Sequence, residues 1–260
     1  GDPAKFQELY ESYERKTSIK KKKIKAMELF SALIKERAET GRIYIMNVDH
    51  ANTHSSFKDT VYMSNLCQEI TLPTKPLNHI DGPEGEIALC ILSAINVGVI
   101  KQLDDLEELC DLAVRALEEI IDYQRYPIKA AEISTKARRS LGVGYIGLAH
   151  YLAKNHVQYG DKKALGIVHK LTEAFQYYLL KASNELAKER GACEYFNRTK
   201  YSDGILPIDT YKKDVDDICK EKLNYDWNTL RADIQKYGLR HSTLSAQMPS
   251  ESSSVVSNAT

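Results

Sequence analysis

Apolar side chains recur at spacings of three and four over much of this chain, and the runs between them are short. Near the amino terminus Ile24, Met27, Phe30, Leu33 and Ile34 keep that spacing through to Arg37, which is the period of one helix face. The pattern predicts helix over residues 5–39, with a break near Thr17-Ser18 and a stop at Gly41. A second helix is predicted over 104–123. Asp104, Asp105, Glu107 and Glu108 crowd its first turns, where the helix dipole favours negative charge. The clearest helix covers 161–190: Leu165, Val168, Leu171, Phe175, Leu179, Ala182 and Leu186 form one stripe, and Gly191 ends it. Residues 226–237, closed by Gly238, predict another.

Between the helices lie runs with strand character. Ile43-Tyr44-Ile45-Met46-Asn47-Val48 is β-branched and aromatic, so a strand is predicted there. Residues 68–72, 85–93 and 242–245 predict three more, and a long polar stretch fills 49–65. Residues 134–155 read as mostly helical and contain Gly142-Val143-Gly144-Tyr145-Ile146-Gly147. That piece resembles half of a G-x-G-x-x-G fingerprint, but no strand precedes it, and close backbone packing is the better reading. No repeat or linker is present. Short strands between long helices favour an α/β layer or barrel.

Composition then narrows the function. The chain has 260 residues with 36 basic and 36 acidic side chains, a formal net charge of +0. That balance lacks the basic field of non-specific nucleic-acid binding, so no nucleic-acid partner is expected. No run of about 18 apolar residues occurs, so no membrane-spanning helix is predicted. Gly1-Asp2-Pro3-Ala4-Lys5 carries no signal-peptide pattern and no starting Met, as at a processed or excised end. Cys67, Cys90, Cys110, Cys193 and Cys219 contain no C-x-x-C spacing; an odd count fits a reducing, cytoplasmic location. Lys20-Lys21-Lys22-Lys23 lies among acids without aromatics, as on a solvated helix face. His50 and His54 are four apart, but their neighbours read as loop, and no metal site is predicted.

Three stretches could carry chemistry. In Ser64-Asn65-Leu66-Cys67-Gln68-Glu69 an extended backbone would point Asn65, Cys67 and Glu69 the same way, within about 7 Å of one another. A loop with one buried cysteine is the competing reading. A carboxylate two positions from a thiol raises the cost of the thiolate, which argues against papain-like catalysis. A neutral thiol beside a base suits other work. The sulfur could exchange a hydrogen atom while the carboxylate takes a proton from a substrate hydroxyl, and Asn65 could hold that substrate. Cys90, in Glu86-Ile87-Ala88-Leu89-Cys90-Ile91-Leu92-Ser93, would share a strand face with Ala88 and Leu92; alone it reads as a core cysteine. Pro249-Ser250-Glu251-Ser252-Ser253-Ser254 offers hydroxyls and backbone N–H groups at a helix start, an anion site without Lys or Arg, or an ordinary capped serine loop.

Together these stretches resemble the catalytic large subunit of class I, aerobic ribonucleotide reductase. The resemblance rests on Ser64-Asn65-Leu66-Cys67-Gln68-Glu69, Gly85-Glu86-Ile87-Ala88-Leu89-Cys90 and Met248-Pro249-Ser250-Glu251-Ser252-Ser253-Ser254. Thr40-Gly41-Arg42-Ile43-Tyr44-Ile45, Gln176-Tyr177-Tyr178-Leu179-Leu180 and Gly204-Ile205-Leu206-Pro207-Ile208-Asp209-Thr210-Tyr211 agree with it. It covers the whole chain.

The resemblance implies a helix-rich α/β fold, part of a ten-stranded α/β barrel with a central cysteine loop. Residues 1–260 would be a partial catalytic barrel domain. Cys67 would become a thiyl radical that abstracts the ribose 3′ hydrogen, Glu69 would deprotonate the 3′ hydroxyl, and Asn65 would bind the ribose. Cys90 would be one of two cysteines that deliver reducing equivalents, its partner lying upstream. Leu66, Gln68 and Leu92 would touch substrate, and Pro249, Ser250, Glu251, Ser252 and Ser253 would cradle its diphosphate. No cofactor is expected on this chain. A small subunit with a di-iron or other dimetal centre would supply the radical, and thioredoxin or glutaredoxin the external reductant. ATP and deoxynucleotide effectors would bind mostly outside this segment, and the large subunit would dimerise. Cys110, Cys193 and Cys219 match no catalytic position and are expected to be structural.

Two other readings compete. The chain could be the non-catalytic half of a split large subunit that acts by association, since the second reducing cysteine is not among its motifs. A cysteine hydrolase would need a base near Cys67, for which His50 and His54 are the nearest candidates in sequence.

Overall fold

The computed structural model describes residues 3–259; Gly1 and Asp2 of the amino-terminal stretch read above, and Thr260, lie outside them. The first predicted helix is two: α1 (Pro3–Arg15) and α2 (Ala26–Thr40). The break contains the lysine run, which is exposed throughout. Lys21 Nζ donates to the Glu14 and Lys16 carbonyls, at 2.5 and 2.6 Å, and so satisfies groups that the end of α1 leaves free. Gly41 stops α2 at φ 65, a conformation glycine adopts at no steric cost. The apolar stripe of α2 is present but faces away from the rest of the described chain: Met27 is 74% and Phe30 62% exposed.

Residues 43–48 correct the expectation of a strand. No ladder partner lies beside them among the described residues, and the run passes into α3 (Val48–His54). β-branched residues favour extended backbone, but only a neighbour makes it a strand. The same correction applies to 68–72, which form a turn and coil, and to 85–90, which hold one isolated bridge, Lys75 to Glu86.

The chain then runs through β1 (Ile91–Asn96), α4 (Asp105–Tyr123), α5 (Lys129–Arg138) and β2 (Leu141–Ile146), and β2 pairs parallel with β1. A parallel pair needs a long crossover, here the two helices. The glycine-rich piece is therefore neither helical nor a nucleotide loop: it is the second strand. Close packing is its purpose. A Cβ on Gly142 would meet Leu92 Cδ2 at 2.5 Å and Ala246 Cβ at 3.1 Å. Residues 242–245 do not form a full strand, yet they flank β2 on its other edge. Leu141 N–H donates to the Thr243 carbonyl at 3.0 Å, and Val143 N–H to Leu244 at 2.8 Å.

After β2 come α6 (Leu148–Lys154), α7 (Lys162–Arg190), α8 (Pro207–Thr210), α9 (Trp227–Tyr237) and α10 (Glu251–Val256). The central element is α7. Leu171, Phe175, Leu179, Ala182 and Leu186 from the predicted stripe are buried, joined by Tyr178 and Leu180. A helix buried on more than one face is a core helix; this one packs against α4 and α9. Leu165 and Val168 leave that core, and Val168 packs instead on Leu152, Val157 and Ala164.

Charged groups stitch the layers. Glu118 of α4 is 0% exposed. It accepts from Arg139 Nε at 2.7 Å, Arg240 Nε at 2.7 Å and His241 Nε2 at 3.0 Å. Burial pushes its carboxyl pKa up, but the bonds from His241, Arg139 and Arg240 outweigh burial and hold it well below the usual carboxylate range. Burial pushes His241 down, so the imidazole is neutral. Its Nε2–H donates to Glu118, and its Nδ1 accepts from Ser183 Oγ at 2.9 Å. The stretch 240–242 is thereby fixed before it runs on toward β2's edge and Pro249.

Candidate active site

The cysteine loop is built from α3 outward. Asn52 of α3 accepts from Val61 N–H at 2.8 Å and donates to the Val61 carbonyl at 2.9 Å, and Val61 is fully buried. Beyond it the chain folds into a closed loop. Asn65 N–H donates to the Ile70 carbonyl at 3.4 Å, Ile70 N–H returns to Asn65 Oδ1 at 3.4 Å, and Gln68 N–H donates to the Asn65 carbonyl at 3.2 Å. Gln68 has φ 59, a left-handed conformation that costs a non-glycine residue about 1–2 kcal/mol.

This loop overturns the period-two geometry. Asn65, Cys67 and Glu69 do not alternate along an extended backbone; a turn separates them. Leu66 is 80% exposed at the tip and Cys67 is exposed beside it. Glu69 turns inward and is half-buried, and no protein group hydrogen-bonds its shielded Oε2. A buried oxygen without a donor is costly, and this one stands free to accept a hydrogen bond.

Cys90 ends the extended run just before β1. Burial first, and the nearby charge of Glu69 second, push its thiol up to about 11, so it is a neutral thiol at ordinary pH. The carboxylate that argued against a thiolate at Cys67 thus acts electrostatically on Cys90. Cys110 and Cys193 are buried, and burial pushes both thiols up to about 12, as expected of structural cysteines. All five cysteines are free.

The third stretch arrives along β2. Ala246 N–H donates to the Val143 carbonyl at 3.1 Å, and Gln247 Nε2 to the Tyr145 carbonyl at 2.5 Å. A Cβ on Gly144 would lie 2.6 Å from the Ala246 carbonyl oxygen and 3.0 Å from Met248 Sδ. The glycines therefore let residues 246–248 lie directly on the strand and deliver Pro249 and Ser250 to the start of α10. Ser250, the residue before α10, is half-buried; Pro249, Glu251, Ser252 and Ser253 are exposed. No side chain caps the first turn of α10, and Ser253 Oγ donates to the Ser250 carbonyl at 3.3 Å.

One small apolar cluster joins all three stretches. Phe57, Val61, Ile70, Leu72 and Ala246 are its buried members, and Ala88 and Cys90 pack against it. Two cavities flank the loop. The larger, about 770 Å³, has Asn65, Ile70, Glu86, Ala88 and Cys90 in its walls. The smaller, about 220 Å³, is lined by Glu69, Thr71, Gln176, Tyr201, Thr243 and Ser245. Leu66, Cys67, Gln68, Leu92 and the stretch 249–253 line neither. Leu92, 42% exposed, lies over Gly142 on the side of Ala246. Sequence reasoning missed Asn52, whose only signal was an amide four residues after Val48, and the bracing role of Ala246.

His50 and His54 correct the loop expected around them: both sit on α3, their rings 6.1 Å apart. His54 Nδ1 bonds instead to the Thr210 carbonyl. Among the described residues no group of three or more His, Cys, Asp or Glu side chains converges as a metal site would. No described helix is long and apolar enough to cross a membrane.

A parallel strand pair wrapped by helices has a cysteine loop braced against it, and comparison with known proteins gives the family. The chain belongs to the ribonucleotide reductase family, since residues 1–260 match the model of its barrel domain. It is 62% identical over 262 aligned residues to the ribonucleoside-diphosphate reductase subunit alpha of Haemophilus influenzae, covering all of this chain and 35% of that protein. It is 60% identical to the corresponding subunits of Buchnera aphidicola (Schizaphis graminum) and Escherichia coli K12, covering all of this chain and 34% of each. The chain thus spans about a third of the length of these curated relatives.

Proposed function

We propose that this chain carries the radical-bearing part of a ribonucleoside-diphosphate reductase large subunit, and that the complete subunit reduces ribonucleoside diphosphates to 2′-deoxyribonucleoside diphosphates for DNA precursor synthesis. The observation that carries the reading is the packing of Ile70 at the end of the Cys67 loop, of Cys90 and of Ala246 ahead of Pro249 on one apolar cluster, in a chain of this family.

In this reading Cys67, oxidised to a thiyl radical by a radical-generating small subunit, takes the 3′ hydrogen of the ribose: the C–H bond breaks and the S–H bond forms. Glu69, with an oxygen that no donor satisfies, accepts the 3′ hydroxyl proton. Asn65 orients the ribose, and its amide is held in place by the Ile70 N–H. The 2′ hydroxyl leaves as water, taking a proton from a neutral thiol. Cys90 and a second cysteine supply two electrons as they close a disulfide; of their two protons one leaves with the water and the other forms the new C2′–H bond, Glu69 gives its proton back to the 3′ oxygen, and Cys67 returns its hydrogen to C3′. A neutral Cys90, with its thiol pushed up to about 11, holds the proton that the leaving hydroxyl needs. Leu66, Gln68 and Leu92 contact the nucleoside, and Pro249, Ser250, Glu251, Ser252 and Ser253 cradle the diphosphate with backbone N–H groups and hydroxyls rather than a basic patch. Thioredoxin or glutaredoxin resets the disulfide, the metal centre resides in the small subunit, and the large subunit works as a dimer in the cytoplasm, with ATP and deoxynucleotide effectors bound mostly outside this segment.

The test is Cys67→Ser in the full-length subunit assembled with its small subunit. A hydroxyl O–H bond is too strong for the hydrogen transfer, so deoxynucleotide formation falls to background. Turnover within tenfold of the unsubstituted enzyme would sink the assignment.

A further inference from the structure

The stretches that carry Cys67 and Cys90 are tied together by a closed ring of ion pairs that the chemistry above does not use. Arg138, the last residue of α5, is 2% exposed. Its Nε donates to Glu86 Oε2 at 2.7 Å and its Nη2 to Asp59 Oδ2 at 2.9 Å. Arg198 closes the ring: its Nε lies 2.8 Å from Asp59 Oδ2, and its Nη2 donates to Glu86 Oε1 at 3.3 Å. The Tyr195 ring contacts both guanidinium groups, with centroid distances of 5.1 Å to Arg138 and 4.3 Å to Arg198.

The ring's two acids sit at informative places. Asp59 lies between Phe57 and Val61, both buried in the cluster that also holds Ile70 at the end of the cysteine loop. Glu86 lies four positions before Cys90. It is 6% exposed, and its backbone exchanges two hydrogen bonds with Lys75, each 3.0 Å. Arg138 is held in turn: its carbonyl accepts from Ser242 N–H at 3.0 Å, on the path to Ala246. One residue, by its side chain and its carbonyl, thus references the approach to the cysteine loop, the Cys90 stretch and the approach to 246–250 to the end of α5.

Stability alone does not account for such a ring. A buried ion pair is often no better than a well-packed apolar replacement. What a planar guanidinium supplies is geometry: its N–H donors point in fixed directions, and each of the two arginines gives one donor to Glu86 and one to Asp59, which fixes the two carboxylates relative to each other.

We infer that Arg138 is a positioning residue: together with Arg198 it sets the Cys90 stretch against the Cys67 loop, so that reduction by Cys90 follows hydrogen abstraction by Cys67. The inference rests on the radical reading proposed above. It predicts a particular failure when the ring is loosened. Abstraction, which needs only the Cys67 loop, continues, while delivery of electrons from Cys90 lags.

The experiment uses the full-length subunit with its radical-generating partner and CDP as the probe substrate. Arg138→Lys keeps the charge and loses the fork; Glu86→Gln keeps the shape and loses the charge. In each, kcat is expected to fall about 100-fold, as for an approximately 1 Å misplacement, with KM changed less than about twofold. In the unsubstituted enzyme the hydrogen returned from Cys67 regenerates the radical at each turnover; in the variants substrate-dependent loss of the partner's radical, with growth of a nucleotide-derived signal by electron paramagnetic resonance, should appear. Product per radical lost then drops along with kcat. Should kcat fall with the partner's radical preserved in the presence of substrate, the ring serves folding only and the inference is overturned; unchanged kcat overturns it equally. Where the Arg138 and Glu86 variants fail to fold, as judged by circular dichroism, Arg198→Lys provides the same readout, since that side chain is 39% exposed and its exchange is milder. Failure of the underlying reading shows differently, as turnover that survives Cys67→Ser.

Discussion

Gly144→Ala tests whether the approach of residues 246–248 to β2 holds the diphosphate stretch. A Cβ at this position would meet the Ala246 carbonyl oxygen at 2.6 Å, which is 0.8 Å short of the 3.4 Å where ordinary contact begins, and Met248 Sδ at 3.0 Å. The methionine can turn aside, but the carbonyl is backbone. It is also bound to the strand, since Ala246 N–H donates to the Val143 carbonyl at 3.1 Å. The strand itself is fixed by pairing with β1, Gly144 opposite Ala94. The stretch 246–250 must therefore retreat by close to an ångström. Overpacking of this kind costs about 1–3 kcal/mol of stability, and a displacement of that size at a binding group can cost about 100-fold in rate. The assay is steady-state reduction of a ribonucleoside diphosphate by the full-length subunit, with KM and kcat separated. KM should rise at least tenfold, because the stretch proposed to hold the diphosphate moves. Gly160→Ala is the control. Its φ of +87 strains any side chain, but nothing lies within 4 Å of the added Cβ, so it loses stability without raising KM. An unchanged KM in Gly144→Ala, or an equal rise in both variants, would refute the reasoning.

Two further outcomes follow from electrostatics. The Cys90 thiol, pushed up to about 11 by burial and then by Glu69, should alkylate at pH 8 about 100-fold more slowly than an exposed thiol with the usual value of 9.0, and Glu69→Gln should speed it; a rate equal to that of an exposed thiol contradicts the placement of Glu69. Glu118 and His241 both have depressed values in the folded state, so the unfolded chain binds protons better. Stability is therefore present above their ordinary values of 4.5 and 6.5, and is lost as pH falls first below 6.5 and then below 4.5. Urea midpoints at pH 7.5, 6 and 5 should decline in order, and Glu118→Gln should cost about 3–5 kcal/mol at pH 7.5; a flat midpoint refutes the role given to this pair.

The helices were legible because their signals are local. Asp226 accepts from Thr229 N–H at the start of α9, and Gly191 and Gly238 stop α7 and α9, as periodicity and cap residues indicate. Strands were not legible, because a strand is a relation between distant segments. Residues 43–48 have the composition and no partner among the described residues. Residues 141–146 have a partner but carry two glycines that weaken strand propensity, placed there so that Leu92, Ala246 and Met248 can come close. At the site, the residue types in Ser64-Asn65-Leu66-Cys67-Gln68-Glu69 were readable and their geometry was not. Alternation presumes extended backbone, and the Asn65–Ile70 hydrogen bonds fold it into a loop. The Arg138 ring had no sequence signature, since its four members are scattered between residues 59 and 198.

The same scatter orders the making of the molecule. The main core is built around α4 and α7, whose packing partners lie within one continuous region of chain. The cluster under the cysteine loop is closed by Ala246 against Ile70, residues 176 positions apart in the sequence. Contacts of such long range form late, because the chain must lose its loop freedom before they reward it. Five buried residues hold that cluster, far fewer than support the helical core. The cysteine loop is therefore expected to acquire its shape after the helical core and to open before it, and amide exchange at Ile70 should outpace that at Leu179 in the folded protein.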